Sequence, residues 1–421
     1  MRAPIRRPHR FRPLHFGLSD PALDRKPHVG LDPKLAAIRE ELPAVRRGAF
    51  LNTGSFGPQP RRAHEVLLAS DRADIAQGRM GHKVFERMLQ NRALTRSAFA
   101  RVLGCDPAEL ALTHSTTAGI NIAVMGLDWQ PGDRLITAKA EHPAELNPAA
   151  VLKDRRGVEV VTSDIGLPGV DPVAALTAAL DEGGARAVLL SHVCWTTGLV
   201  MPVRELADAA HRAGAVLVID SAQGAGEVPV DVKALEVDAY ACSGQKWLCG
   251  PSGTGALYIR PDRMEDFRLT FAGYGAGKAA RDLSTFDMTP DAVRFEAITL
   301  HGPSLDALRV GLEWLEGDEV GLPWAHGRIA DLGRRCHEAL SALPGVTTLA
   351  PADEIAGLVA FTVAGMEPEQ VTVALEDKGF FIRNVEFPAA NRISTGFYNT
   401  EDEIDAVAAA IGELAGATAA T

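Results

Sequence analysis

Lys246 stands where an amine can do chemistry. It lies in ACSGQKWLCGPSGTGALYIR, between an apolar strand pattern and a Gly/Pro-rich turn, with a second strand pattern behind it. A lysine projecting from such a tight loop at a sheet edge loses solvent. Desolvation lowers its pKa, and the neutral amine can then condense with an aldehyde. Taken alone, Lys246 also reads as one more surface charge. Gly250, Gly253 and Gly255 resemble a phosphate loop but lack the G-x-x-x-x-G-K-[ST] spacing, so no P-loop is assigned.

Three other segments put useful residue types directly after apolar runs. In AVLVIDSAQGAGEVPV, Asp220 ends a very apolar stretch. A buried carboxylate is costly unless paired, and a protonated pyridine nitrogen is one productive partner. An N-cap for the following turn is the other reading. In THSTTAGIN, Ser115, Thr116, Thr117 and Gly119 open a helix, whose hydroxyls and free N–H groups suit an anion or serve as ordinary caps. In TAKAEHPAELNP, His142 can lie flat over an aromatic ring, or be a satisfied core or surface histidine. Each signal is modest alone. Together they place a phosphate cradle, a flat imidazole, a carboxylate and a lysine at strand ends, the set that pyridoxal 5'-phosphate requires.

The elements that position these residues follow from periodicity. Short apolar runs occur at LALT (110–113), RLITA (134–138), VEVVTS (158–163), AVLLSHV (187–193), AVLVIDSA (215–222), DAYACSG (238–244) and GALYIR (255–260). Helical patterns at 171–183 and 202–214 separate some of them. Strands apolar on both faces and alternating with helices predict an α/β fold with a mostly parallel seven-stranded sheet flanked by helices. Such sheets bind ligands at their carboxyl edge. Upstream, a short helix is predicted over 33–46, a Gly/Pro-rich loop over LNTGSFGPQP (51–60), and a long helical stretch from Pro60 to about Leu103. After Arg260 the alternation stops. A helix over 302–317, strands at 356–363, 380–385 and 391–397, and a closing helix from Glu401 predict a smaller α+β C-terminal domain. The predicted division is a flexible basic tail over 1–30, a large domain over 31–300 to which the cofactor binds, and a small domain over 301–421, with the N-terminal segment contributing to the small domain.

Composition bounds the function class. The 421 residues carry a formal charge of -11, with 46% hydrophobic residues. That acidity speaks against nucleic acid and against anionic membrane surfaces as partners. No apolar run approaches the ~20 residues of a membrane span. The five cysteines are scattered without C-x-x-C spacing, so no metal site is expected and a reduced, cytoplasmic setting fits. The opening MRAPIRRPHRFRPLHFGLSD has no apolar core after Arg6-Arg7 and reads as a tail rather than a targeting signal.

From about Leu51 to the C-terminus the sequence resembles the class V aminotransferase family, fold-type I pyridoxal-phosphate enzymes that include cysteine desulfurases, cystine C–S lyases and isopenicillin N epimerases. VIDSAQ (218–223) is similar to the family's cofactor segment, which implies that Asp220 pairs with the pyridine nitrogen and Gln223 with the ring's phenolic oxygen. CSGQKWLCGPSGTGALYI (242–259) resembles the Schiff-base segment, implying Lys246 as the aldehyde-bound lysine and Ser243 as a phosphate ligand. By the same resemblance Thr116 and Thr117 hold phosphate and His142 stacks on the ring. RFEAIT (294–299) looks like the stretch that crosses a homodimer interface, which implies that Thr299 reaches a partner's phosphate. NRISTGFYNTEDEID (391–405) is similar to the segment carrying the substrate-carboxylate arginine. That implies Arg392, with Arg383 in FFIRNV as a second contact and Asn52 and Trp195 on the substrate side.

Three departures from the desulfurase pattern stand out. Gln245 replaces the histidine before the lysine; it can still donate to phosphate but cannot shuttle a proton. Trp195 stands where desulfurases carry asparagine. The segment Asn384 to Asn391 has no cysteine, so a persulfide route from that loop is not expected. WTTG, KWLCGPSGTGALYI and RFEAIT look like the cystine C–S lyase branch, whereas LNTGSFGPQP looks like the epimerase branch. The expected reaction is β-elimination from cysteine, cystine or a cysteine conjugate. Epimerisation, desulfuration and transamination are the alternatives, and a catalytically silent scaffold is the non-enzymatic one.

Overall fold

The computed structural model describes residues 30–297 and 299–419. The tail expected over residues 1–30 lies outside the described residues, except for Gly30. A seven-stranded sheet forms the centre. In spatial order its strands are Leu110–Thr113, Gly255–Ile259, Ala239–Ser243, Val216–Asp220, Ala185–Ser191, Arg134–Ala138 and Glu159–Ser163. All neighbours run parallel except around Gly255–Ile259, which is antiparallel to both strands beside it. The apolar runs become strands because every residue of Arg134–Ala138, Val216–Asp220, Ala239–Ser243 and Gly255–Ile259 is buried. Two apolar layers, one on each face, enclose the sheet.

Helix starts follow from capping. Asp171 accepts the N–H groups of Val173 and Ala174 ahead of Pro172–Asp181, with Pro172 at the first turn. The long stretch expected from Pro60 to about Leu103 is instead two helices, Arg61–Gln77 and His82–Leu103. Gly78 and Gly81 take φ of 72° and 96°, a region that only glycine enters cheaply, and they end one helix and open the next.

The smaller C-terminal α+β domain carries an antiparallel sheet in the order Val346–Thr348, Leu358–Val363, Ala389–Ser394, Arg383–Glu386. Its core holds Val359, Phe361, Ile393, Ile404 and Val407. The helix Leu322–Ser341, absent from the sequence reading, packs on it. Its buried positions Ala325, Ile329, Leu332, Cys336 and Leu340 keep helical spacing, but charged residues between them interrupt the apolar pattern. Near the N-terminus, Ala49 and Phe50 pair in parallel with Phe380 and Phe381, and Ser394 N–H donates to Leu51 O. The loop that follows is thereby threaded between the two sheets.

Glu227 ties the two sheets together. One carboxyl oxygen accepts the N–H groups of Gly357 (2.9 Å) and Leu358 (3.0 Å). Burial pushes its pKa up to about 8 against those two donors. The folded chain therefore holds a proton that the unfolded chain releases, and this contribution to stability is complete below about 4.5 and lost as pH rises through about 8. Glu227→Gln is expected to flatten that part of the pH dependence of the thermal midpoint. An unchanged slope contradicts the assignment.

Candidate active site

The carboxyl edge of the large sheet gathers the reactive groups. Ser191 and Asp220 are register partners on adjacent parallel strands, and Asp220 in turn faces Ala241. Glu141 and His142 follow the strand Arg134–Ala138, and Ser243 ends Ala239–Ser243. Thr113 and Ser243 both pair with Gly255, so the turn after Thr113 and the Ser243 hydroxyl lie at the same edge, one strand apart.

Lys246 is partly buried on the loop after Ser243. Burial drives its pKa down to about 8, with Asp220 opposing and Arg392 assisting. A free amine is therefore accessible near neutral pH. Asp220 is 5% exposed, and burial pushes its carboxyl upward while Lys246 and the Ala222 N–H (2.7 Å) restrain it. The capping reading of Asp220 holds through the Ala222 N–H, and the lysine's charge lies near the same carboxyl. The Gln223 amide is fixed in orientation. Trp247 Nε1–H, a donor only, points at its Oε1 (2.9 Å), and its Nε2 donates to Gly54 O (2.9 Å). One N–H of Gln223 is left for a ligand. A Cβ on Gly54 would sit 2.9 Å from Gln223 Oε1 and 3.0 Å from Arg392 Nη2, so the N-terminal loop approaches closely only as glycine.

His142 caps the helix Pro143–Arg156, its Nδ1 accepting Ala144 N–H at 3.1 Å. Burial, then the nearby cations, lowers its pKa to about 4, so the ring is neutral at ordinary pH. It stands edge-on to Trp195, with centroids 4.9 Å apart and planes at 84°. Trp195 is itself held by Nε1–H to Ala140 O (2.9 Å).

Buried polar atoms without partners mark where a ligand belongs. Thr116 Oγ1, Ser243 Oγ and Gln245 Oε1 are buried and unpaired. Thr116 and Thr117 open the helix Thr116–Gly126, whose first N–H groups have no partner within the helix. Three orphaned side chains and a helix N-terminus at one sheet edge suit a phosphate. The Gln245 amide can rotate to present its NH2 there. A phosphorylated pyridine aldehyde thus fits: anion cradle, carboxylate, amine and a neutral imidazole are all present.

A second anion site adjoins. Arg383 and Arg392 are directly opposed on adjacent antiparallel strands, an arrangement that like charges disfavour. Both reach Ser55 Oγ, at 3.1 and 3.4 Å. Arg392 is fully buried, and its Nη1 donates to Trp195 O at 2.8 Å. Burial, then Arg383, presses the Arg392 guanidinium down to about 9, so it stays cationic at neutral pH and lacks a carboxylate partner among the ion pairs of the described residues. Arg383 is exposed, with its guanidinium carbon 5.9 Å from the Trp195 ring centroid. Asn52 Oδ1 accepts the Ser55 hydroxyl (2.7 Å), which orients the link between the arginines.

Thr299 is exposed, with φ of 83°. Sequence reasoning missed Ser55, Trp247, Glu141 and Glu145. The two acids flank His142 in AEHPAE, directly after a strand, which was the available signal. Among the described residues no group of His, Cys, Asp and Glu is placed to hold a metal, and no helix is long and apolar enough to cross a membrane.

The family profile "Aminotransferase class-V" matches residues 66–407. The isopenicillin N epimerase of Streptomyces clavuligerus is 32% identical over 395 residues, covering 87% of this chain and 94% of that protein. The structure of the cystine C–S lyase C-DES with its reaction product cysteine persulfide aligns with a TM-score of 0.83 at 28% identity, covering 88% of this chain and 99% of that one. The cysteine desulfurase of Thermococcus onnurineus NA1 aligns with a TM-score of 0.81 at 25% identity, over 90% and 98% of the two chains. The chain belongs to the class-V aminotransferase family.

Proposed function

We propose that the protein is a pyridoxal-phosphate-dependent C–S lyase that eliminates sulfur from cysteine, cystine or a cysteine conjugate. The observation that supports this is the pair of opposed arginines beside a desolvated, acid-backed lysine, an arrangement suited to an amino acid's carboxylate next to an amine base. Thr116, Thr117, Ser243 and Gln245 would hold the cofactor's phosphate, Asp220 would serve its ring nitrogen, Gln223 its phenolic oxygen, and His142 its ring. Bound there, pyridoxal 5'-phosphate supplies an electron sink for negative charge at the substrate Cα.

Arg392 and Arg383 clamp the substrate carboxylate, with Asn52 and Trp195 shaping the same end. Lys246 Nζ takes the Cα proton. The electron pair of the Cα–H bond forms a Cα=Cβ bond as the Cβ–S bond breaks and sulfur departs. Hydrolysis of the released enamine gives pyruvate and ammonia. The thiols support elimination over persulfide transfer. The hairpin between Arg383–Glu386 and Ala389–Ser394 turns at Phe387–Pro388 and carries no cysteine. Cys242 and Cys249 are buried with pKa values pushed up to about 12, which leaves little thiolate.

The cofactor domain spans 31–300 and the smaller domain 301–421, and the working unit is a homodimer. Leu68, Ile75, Phe85, Met88 and Leu89 leave an apolar face exposed on the two helices between residues 61 and 103. Thr299, exposed in an uncommon backbone conformation, is suited to reach the second copy's phosphate. Free cysteines throughout the described residues agree with a reducing cytoplasm.

The 32% identity to an epimerase supports a second reading, in which the Cα proton returns to the opposite face. Incubation with L-cystine, L-cysteine and a cysteine conjugate, with pyruvate and sulfide or persulfide measured, separates the two. Elimination yields equal pyruvate and ammonia. Deuterium entering Cα from solvent with no pyruvate from any of the three selects epimerisation and overturns the lyase.

A further inference from the structure

Asp220 is not alone beneath the lysine. Glu145, in the first turn of the helix Pro143–Arg156, is fully buried and lies beside the Asp220 carboxyl. Glu141, 5% exposed, is the third acid. It accepts Ser191 N–H at 2.9 Å and the Ser191 hydroxyl, it also meets Glu145, and burial pushes its pKa up to about 7. Ser191 Oγ also lies 3.3 Å from Glu145 Oε1, and Glu145 Oε2 has no donor. Two adjacent buried acids cannot both ionise, so one of the pair keeps a proton.

The surroundings decide which acid holds the proton. Asp220 has the Lys246 charge and the Ala222 N–H to favour its anion. Glu145 faces Asp220 and Glu141, both of which disfavour its anion. Tyr240 and Cys242 face Asp220 from the strand Ala239–Ser243, and burial keeps both neutral. We propose that Glu145 is a positioning residue: it carries a proton at neutral pH and donates it to the Asp220 carboxyl. Asp220 is thereby held as the anion that faces the cofactor's ring nitrogen. Burial and the two neighbouring acids raise the Glu145 pKa well above its ordinary value, in the same sense. The inference deepens the function proposed above and rests on it for the ring nitrogen, but not for the proton.

Infrared spectra of the full chain, without and with pyridoxal 5'-phosphate, test the proton directly. At neutral pH the wild type should show protonated-carboxyl absorption to which Glu227 also contributes, and one band within it should be lost in Glu145→Gln. If no such band is lost, Glu145 is ionised and the proposal fails, whether or not the chain binds the cofactor. Cofactor titration followed by absorbance gives the second readout. Glu145→Gln keeps a donor toward Asp220 and should bind pyridoxal 5'-phosphate within about threefold of wild type. Glu145→Leu removes the donor and should bind on the order of ten- to a hundredfold more weakly, the range for a hydrogen bond to a charged group. Equal binding by a folded leucine variant overturns the positioning role; if that variant does not fold, the infrared comparison alone decides. A wild-type chain that binds no cofactor sinks the function proposed above while the Glu145 proton is still measured.

Discussion

Lys246→Ala is expected to lower turnover by on the order of 10³-fold or more, because it removes both the amine that captures the cofactor and the base that moves the Cα proton. The far-ultraviolet spectrum should stay unchanged, since the loop around residue 246 is held by backbone contacts that the substitution leaves alone: Gly57 N–H to Gln245 O, and Cys249 N–H to Lys246 O. The visible cofactor spectrum should change, because no amine would remain at that position. A pH arm sharpens this result. The protonated amine cannot attack, so cofactor capture by the wild type should rise with pH through about 8 and then level off. Full turnover in the alanine variant would remove Lys246 from the mechanism. Capture independent of pH across that range would contradict its desolvation.

Arg392→Ala is expected to cost on the order of 10²-fold in kcat/KM, a size that fits loss of a buried charge partner for a carboxylate. The loss should fall mainly on KM, since the carboxylate keeps its charge from bound substrate to transition state. Arg392→Lys should recover only part of it, because an ammonium cannot reproduce the planar fork that reaches both Trp195 O and Ser55 Oγ. Arg383→Ala should cost less, as that side chain is exposed and its charge is screened. An unchanged cofactor spectrum in Arg392→Ala is the control for local folding. If KM for a cysteine substrate stayed at the wild-type value, the opposed arginines would need another anion to explain them.

Much of this arrangement is legible in the sequence, for definable reasons. Most strands of the large sheet announce themselves because burial on both faces leaves uninterrupted apolar runs such as VLVI before Asp220, whereas the edge strand Glu159–Ser163 is only partly covered. Asp220, His142, Ser243 and Lys246 are legible because each follows such a run, where parallel sheets put their ligands. What escapes the sequence depends on contacts made across long chain separations. Gln223 is oriented by Gly54, 169 residues away, and Arg392 meets Ser55 across 337. The division at Gly78–Gly81 was missed because one apolar periodicity runs through both flanking helices. Glu145 was hidden for another reason: an acid in a helix first turn is ordinary capping chemistry, and only its burial against Asp220 makes it unusual.

The central claim is that one side chain, Lys246, is the amine to which the cofactor is joined. Reduction of the cofactor-loaded full chain with borohydride, followed by peptide mapping, tests it most directly. The account requires the cofactor mass on the peptide spanning CSGQKW and on position 246 within it. A tag on any other lysine, or no tag on a chain that has visibly bound cofactor, would contradict the assignment.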